Sequence, residues 1–104
     1  MKKFDIWLAD LNPQFETEPG KIRPVVLVQT DLLNDVHPST IVLPVTTNVK
    51  KNAQILRVHL DMKSDILIDQ IRAIDKKRLI KKIGTLTESQ KLQVLQNVKI
   101  IVME

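Results

Sequence analysis

Pro24-Val25-Val26-Leu27-Val28-Gln29-Thr30 is a run whose first five residues are all apolar and mostly β-branched. A strand with one face in water alternates apolar and polar residues, so an unbroken run predicts a strand buried on both faces, near the middle of a sheet. Pro24 opens it, a position where a missing N–H is tolerated. Arg23 therefore stands at the mouth of a buried strand. Upstream, Phe4, Ile6 and Leu8 alternate with Asp5, Trp7 and Ala9, the period-two pattern of a half-buried strand that stops at Asp10-Leu11-Asn12-Pro13. Between the two strands a loop from Asn12 to Ile22 holds Pro13, Pro19 and Gly20, which interrupt regular structure and supply turn dihedrals. Loops of this length in compact domains often carry function.

Downstream, Asp31 to Asn34 is expected to form a short helical turn, and His37-Pro38-Ser39 a break. Thr40 to Thr47 is a second β-type run, and Pro44 inside it predicts an edge position or a bulge that would re-aim Thr46 and Thr47. Ile55, Arg57 and His59 alternate with Leu56, Val58 and Leu60, and Ile66 to Ile74 reads as two short strands or one bent one. Asp75 to Leu79 is a turn. Thr87-Glu88-Ser89-Gln90 matches a capping box, and a helix from about Glu88 to Val102 follows, with Leu92, Leu95, Val98 and Ile101 or Val102 on the stripe expected to face the sheet. A β-rich body followed by one helix predicts a mainly β protein, a compact barrel with an appended C-terminal α-helix, rather than a βαβ fold.

With 104 residues the chain holds one core, so residues 1–104 are expected to form a single domain. Its 43% hydrophobic and 27% charged residues are those of a globular protein and exclude a disordered one. The absence of cysteine excludes a disulfide framework and a thiolate metal site. No apolar run of signal-peptide length follows Met1-Lys2-Lys3-Phe4-Asp5, and no segment is apolar enough to span a bilayer, so the expected location is the cytoplasm, away from membranes. A net charge of +4 suits a polyanionic partner, though a solvated basic surface accounts for it equally well. One Trp, two Phe and no Tyr are too few for a base-stacking platform, so a nucleic-acid partner would be held by phosphate contacts and polar base readout.

Three elements carry the candidate chemistry: the loop Glu16-Thr17-Glu18-Pro19-Gly20-Lys21, Arg23, and Thr46-Thr47-Asn48. A lone Arg is most often a surface cation, but one immediately before a buried strand is held by a rigid element and can grip a phosphate with two parallel bonds. Thr46 and Thr47 are ordinary strand residues on opposite faces, so at most one faces a given site. Glu18 caps the loop or pairs with Lys21, or else orients Arg23 or removes a proton, the structural role standing ahead. His37 and His59 read as structural or solvated, since neither has a second His or a carboxylate at metal-ligand spacing. Lys76-Lys77-Arg78 with Lys81-Lys82 is a solvated face that adds at most salt-dependent affinity.

Taken in order, Asp5-Ile6-Trp7, Asp10-Leu11-Asn12-Pro13 and Glu18-Pro19-Gly20-Lys21-Ile22-Arg23-Pro24-Val25-Val26 resemble the start of the MazF/PemK toxins. The resemblance continues through Gln29 to Asn34, Val42 to Thr47 and Asp69 to Leu79, nearly the whole chain. Two departures stand out: Phe4 replaces the usual Gly, and Thr17-Glu18-Pro19-Gly20 replaces Ser-Glu-Gln-Gly, stiffening a loop that in the family lies beside the active site. The resemblance implies an SH3-like barrel of the CcdB/PemK type, a homodimer, and sequence-specific cleavage of single-stranded RNA (mRNA), silenced by a cognate antitoxin. It implies attack of the ribose 2′-hydroxyl on phosphorus, giving a 2′,3′-cyclic phosphate and a 5′-hydroxyl without metal or other cofactor, because RNA supplies the nucleophile. Arg23 and Thr46 match the catalytic pair, Glu18 is the nearby carboxylate for the otherwise unassigned general base, and Lys21, Thr47, Asn48 and Gln70 are candidates for substrate contact. The alternative is a non-catalytic CcdB-like gyrase-binding toxin of the same fold, but the closing Ile100-Ile101-Val102-Met103-Glu104 lacks the Trp-Gly motif those toxins use.

Overall fold

The computed structural model describes residues 1–11, 22–49 and 56–103. Seven strands form one antiparallel sheet: β1 (Asp5–Asp10), β2 (Ile22–Leu27), β3 (Ser39–Thr46), β4 (Arg57–Asp61), β5 (Ser64–Leu67), β6 (Arg72–Asp75) and β7 (Leu79–Thr85). A short helix α1 (Asp31–Asn34) follows β2, 3-10 turns cover Ile68–Gln70 and Lys76–Arg78, and helix α2 (Glu88–Met103) ends the described chain. No helix among the described residues is long and apolar enough to cross a membrane.

Hydrogen-bonded neighbours run β4-β5-β3-β2-β1-β7, with β6 also on β3. β2 is central as its apolar run requires, and Val25, Val26 and Leu27 are fully buried. The expected barrel is an open sheet in this chain: its end strands β4 and β7 do not pair with each other among the described residues. Helix α2 packs instead on β4 and the turn after β5, and the Gln90 side chain donates to the Leu60 carbonyl at 2.8 Å. The other end, β7, was not anticipated from sequence. It carries Lys81 and Lys82, charges of the kind that keep an edge strand from pairing with another molecule.

Pro44 does not mark an edge, contrary to the sequence expectation. β3 pairs with β2 on one side, and on the other first with β6 (Ser39 to Val42) and then with β5 (Val45 and Thr46). The Val28 N–H donates to the Ile41 carbonyl at 3.0 Å, so the odd-numbered backbone groups of β3 face β2 and those of Pro44 face the other side. There Pro44 falls at the seam between the two partners, where no ladder bond from its nitrogen is needed.

Side chains alternate between two packed faces. Val26, Leu43, Val45 and Ile66 pack on one, beneath Val94 of α2, while Val25, Leu27, Val42 and Ala9 pack on the other. The buried face of α2 is Val94 with the half-buried Val98 and Ile101, so Val98 and, of the two alternatives, Ile101 face the sheet as expected, while Leu92, Leu95 and Val102 are exposed. The helix carries apolar residues on two sides, and spacing alone does not choose between them. The capping box forms as expected, with the Gln90 N–H donating to the Thr87 hydroxyl at 3.2 Å and the Thr87 N–H to the Gln90 amide oxygen at 2.9 Å. Phe4 adopts φ 72°, a left-handed conformation that favours glycine. Its ring packs on the α2-side core under the ammonium groups of Lys3 and Lys91. Between β2 and β3 the buried Asn34 accepts from Gln29 at 3.1 Å and from the Thr40 hydroxyl at 2.8 Å, tying α1 to the sheet.

Thr87→Ala removes the hydroxyl that accepts the Gln90 N–H and is expected to cost about 1 kcal/mol, read as a lower denaturation midpoint at unchanged slope. Asp5 gives a second expectation. Burial pushes its carboxyl upward, but the Lys2 N–H at 2.9 Å, the Lys82 ammonium at 3.3 Å and the Thr85 hydroxyl at 3.2 Å outweigh burial and hold it below the ordinary aspartate value. A depressed folded-state value means stability that is present above the unfolded aspartate range and lost as pH falls through the folded one. Denaturation midpoints should therefore drop on acidification below that range. Asp5→Asn should flatten this part of the curve, and identical curves for the two proteins would show that Asp5 contributes nothing to it.

Candidate active site

The β2–β3 register pairs Val25 with Pro44, Val26 with Leu43 and Leu27 with Val42. Continued by two residues toward the start of β2 and the end of β3, it sets Arg23 across from Thr46. Directly opposed residues in an antiparallel pair share a face, with Cβ atoms about 4.5–5.5 Å apart. Arg23 is the second residue of β2 rather than a residue before the strand, so its Cα is fixed by the pairing with Ala9 of β1. Among the described residues its guanidinium makes no hydrogen bond or ion pair, and the residue is exposed. A fixed base under a free, planar, permanently charged group suits it to a phosphate.

Thr46 is half-buried at the end of β3, and its hydroxyl oxygen accepts the Asn48 N–H at 3.2 Å. The hydroxyl proton is left to donate elsewhere. Thr47 and Asn48 follow on the exposed bend after the strand. Gln70 is exposed at the end of the 3-10 turn joining β5 to β6, opposite the seam at Pro44, and makes no hydrogen bond to Arg23 or Thr46. Glu18 and Lys21 lie outside the described residues.

A cluster that sequence reasoning missed adjoins this pair. Thr46 is registered opposite Asp65 of β5, and Asp65 opposite His59 of β4. Arg23, Thr46, Asp65 and His59 thus form one transverse row across β2, β3, β5 and β4. The Asp65 side chain is wholly buried, with His59 Nδ1 at 2.5 Å and Arg57 Nη1 at 3.4 Å. Arg57 also donates to the Asn48 carbonyl, linking the bend after Thr46 to the same carboxylate. A buried carboxylate left unpaired costs several kcal/mol, which accounts for two basic side chains converging on it. His59 reads from the sequence as structural or solvated, with no second His or carboxylate at metal-ligand spacing; the β4–β5 hairpin brings the Asp65 carboxylate to it. The available signal was Asp65 itself, an acidic residue directly before the apolar Ile66-Leu67-Ile68, where strands disfavour Asp. Among the described residues no three His, Cys, Asp or Glu side chains gather as a metal site would require.

The family model for the PemK-like, MazF-like toxins of type II toxin-antitoxin systems matches residues 2–102. An endoribonuclease MazF of Staphylococcus epidermidis is 38% identical over 101 residues, covering 90% of this chain and 84% of that protein. Endoribonuclease EndoA of Bacillus subtilis is 38% identical over 95 residues, covering 85% and 82%. Among solved structures, a mycobacterial endoribonuclease in complex with its cognate antitoxin superposes with a TM-score of 0.81 at 13% identity, over 98% of this chain and 94% of that one. A MazE–MazF structure from Deinococcus radiodurans does so with a TM-score of 0.79 at 19% identity, over 100% and 97%. At such identities the superpositions speak to the fold, a mostly antiparallel sheet with a C-terminal helix. The gyrase-binding alternative finds no support in these matches. A model that accounts for nearly every residue, together with relatives at 38% identity over most of the chain, places this protein in the PemK-like, MazF-like toxin family of type II toxin-antitoxin systems.

Proposed function

We propose that the protein is a sequence-specific endoribonuclease toxin that cleaves single-stranded RNA and is silenced by a cognate antitoxin. What supports this reading is the β2–β3 register, which, continued two residues past Val25–Pro44, aligns Arg23 with Thr46, in a chain whose curated relatives at 37–38% identity are endoribonucleases. The ribose 2′-hydroxyl attacks the adjacent phosphorus, the bond to O5′ breaks, and the products carry a 2′,3′-cyclic phosphate and a 5′-hydroxyl. The substrate brings its own nucleophile, so the reaction needs no metal-bound water, and DNA, lacking the hydroxyl, is inert.

Arg23 stabilises the extra negative charge on the pentacoordinate phosphorus, a role for a cation that keeps its proton. Thr46 donates its hydroxyl proton to a non-bridging oxygen and so holds the scissile phosphate against the end of β3. Thr47 and Asn48 on the neighbouring bend, Gln70 on the turn after β5, and Lys21 contact the flanking nucleotides. Glu18 is assigned to the site by resemblance. The protein acts in the cytoplasm as a homodimer. The exposed Leu92, Leu95, Val102 and Met103 on α2, with Ile80 and Ile83 on β7, supply the apolar surface that an association would bury.

Purified protein is expected to cut a defined single-stranded transcript in the presence of EDTA while leaving DNA of the same sequence intact. Cutting that stops in EDTA and returns with a divalent cation would overturn the metal-free mechanism. Arg23→Ala should lower the cleavage rate by about two to three orders of magnitude, and Thr46→Val by about tenfold to a hundredfold, with melting temperatures unchanged. Full activity in either variant removes that residue from the site.

A further inference from the structure

We infer that His59 is the general base of this site and that Asp65 is the positioning residue that holds its ring. The inference rests on the nuclease reading above and concerns the group that reading leaves unassigned, the acceptor of the 2′-hydroxyl proton. An ionised Asp65 only accepts hydrogen bonds, so the His59 nitrogen 2.5 Å from it, Nδ1, carries the proton and donates. The neutral imidazole then has its lone pair on Nε2, the nitrogen that can take a proton from substrate. Among the described residues nothing hydrogen-bonds to Nε2.

The burial of the pair is divided between its members. The Asp65 side chain is 0% exposed, whereas that of His59 is 58% exposed. Here the carboxylate is inside and the ring faces solvent, which is how a buried acceptor fixes the tautomer and direction of a working imidazole. The ring leans from β4 over β5, and β5 is the strand between it and Thr46. Strands in a sheet stand about 4.8 Å apart, so His59 and Thr46 are separated by roughly 10 Å at the backbone. A ribose and its 3′-phosphate, with the phosphate on Thr46 and Arg23, span that interval and bring the 2′-hydroxyl toward Nε2.

The step balances without a further reagent beyond water. Nε2 takes the 2′-hydroxyl proton as O2′ bonds to phosphorus, the bond from phosphorus to O5′ breaks, and the leaving oxygen takes a proton from water. The charged groups around the ring are Asp65 from β5, and Arg57 and Asp61 from its own strand, with Arg23 of β2 at the far end of the row. From α2 the contact is the uncharged Gln90 amide on the backbone carbonyls of His59 and Leu60.

The test is single-turnover cleavage of a short oligonucleotide carrying one ribonucleotide at the cut site, measured across pH for the wild type, His59→Ala, His59→Gln, Asp65→Asn and Glu18→Gln. The wild type is expected to show an acidic limb of unit slope. His59→Ala and His59→Gln should both lose that limb and about two to four orders of magnitude in rate, and added imidazole should restore part of the rate to His59→Ala. Asp65→Asn should be slowed less than either. His59→Gln keeps the bulk of the ring and so covers a fold defect in His59→Ala. Wild-type rate and pH profile in both His59 variants, or loss of the limb in Glu18→Gln alone, would overturn the assignment while leaving the nuclease reading intact. A wild type that cuts no RNA would instead defeat the reading beneath it.

Discussion

Strand β3 is bordered by β2 along one side and by two different strands along the other, and the placement of every candidate site residue outside the 12–21 segment follows from that arrangement. The backbone of an extended chain presents its N–H and C=O groups to alternate sides. A strand that changes neighbours midway therefore has a gap on one side only, and Pro44 occupies it. Past the gap, Val45 and Thr46 take β5 as partner.

The transverse row of Arg23, Thr46, Asp65 and His59 lies where the second apolar face runs out. Val25, Leu27 and Val42 fill that face farther along the same strands, and the polar residues take over toward the start of β2 and the end of β3. Burying the Asp65 carboxylate is the costly element of the design, and the cost is offset by charge-assisted contacts from Arg57 and His59. The same contacts connect the bend after Thr46, through the Asn48 carbonyl, to the β4–β5 hairpin.

Phe4 illustrates a local rule set aside for packing. Its φ of 72° costs about 1 kcal/mol or somewhat more for a residue with a Cβ. The half-buried ring packs on the α2-side core and offsets that cost with apolar contact, in a position where the family resemblance leads one to expect Gly.

Much of the architecture is legible in the residues alone because it depends on near neighbours in the chain. The continuous run of β2, the α1 turn at Asp31–Asn34, and the Thr87–Gln90 cap all express interactions within a few positions; the turn and the cap appear where expected, and β2 appears two residues earlier, at Ile22–Leu27. The family pattern, too, is written in short runs of consecutive residues and nominates Arg23 and Thr46 without coordinates. What spacing cannot express is which strands lie side by side. Pro44 looked like an edge residue because its seam is created by β5 and β6, far along the chain, and spacing does not choose the packing face of α2 because apolar residues on two sides leave the choice to the sheet. The Asp65–His59 pair is of the same kind, since only a hairpin register brings a carboxylate to a histidine that sequence left unpartnered. Local chemistry determined most of the elements, β7 excepted, and the family; long-range pairing alone decided which side chains meet.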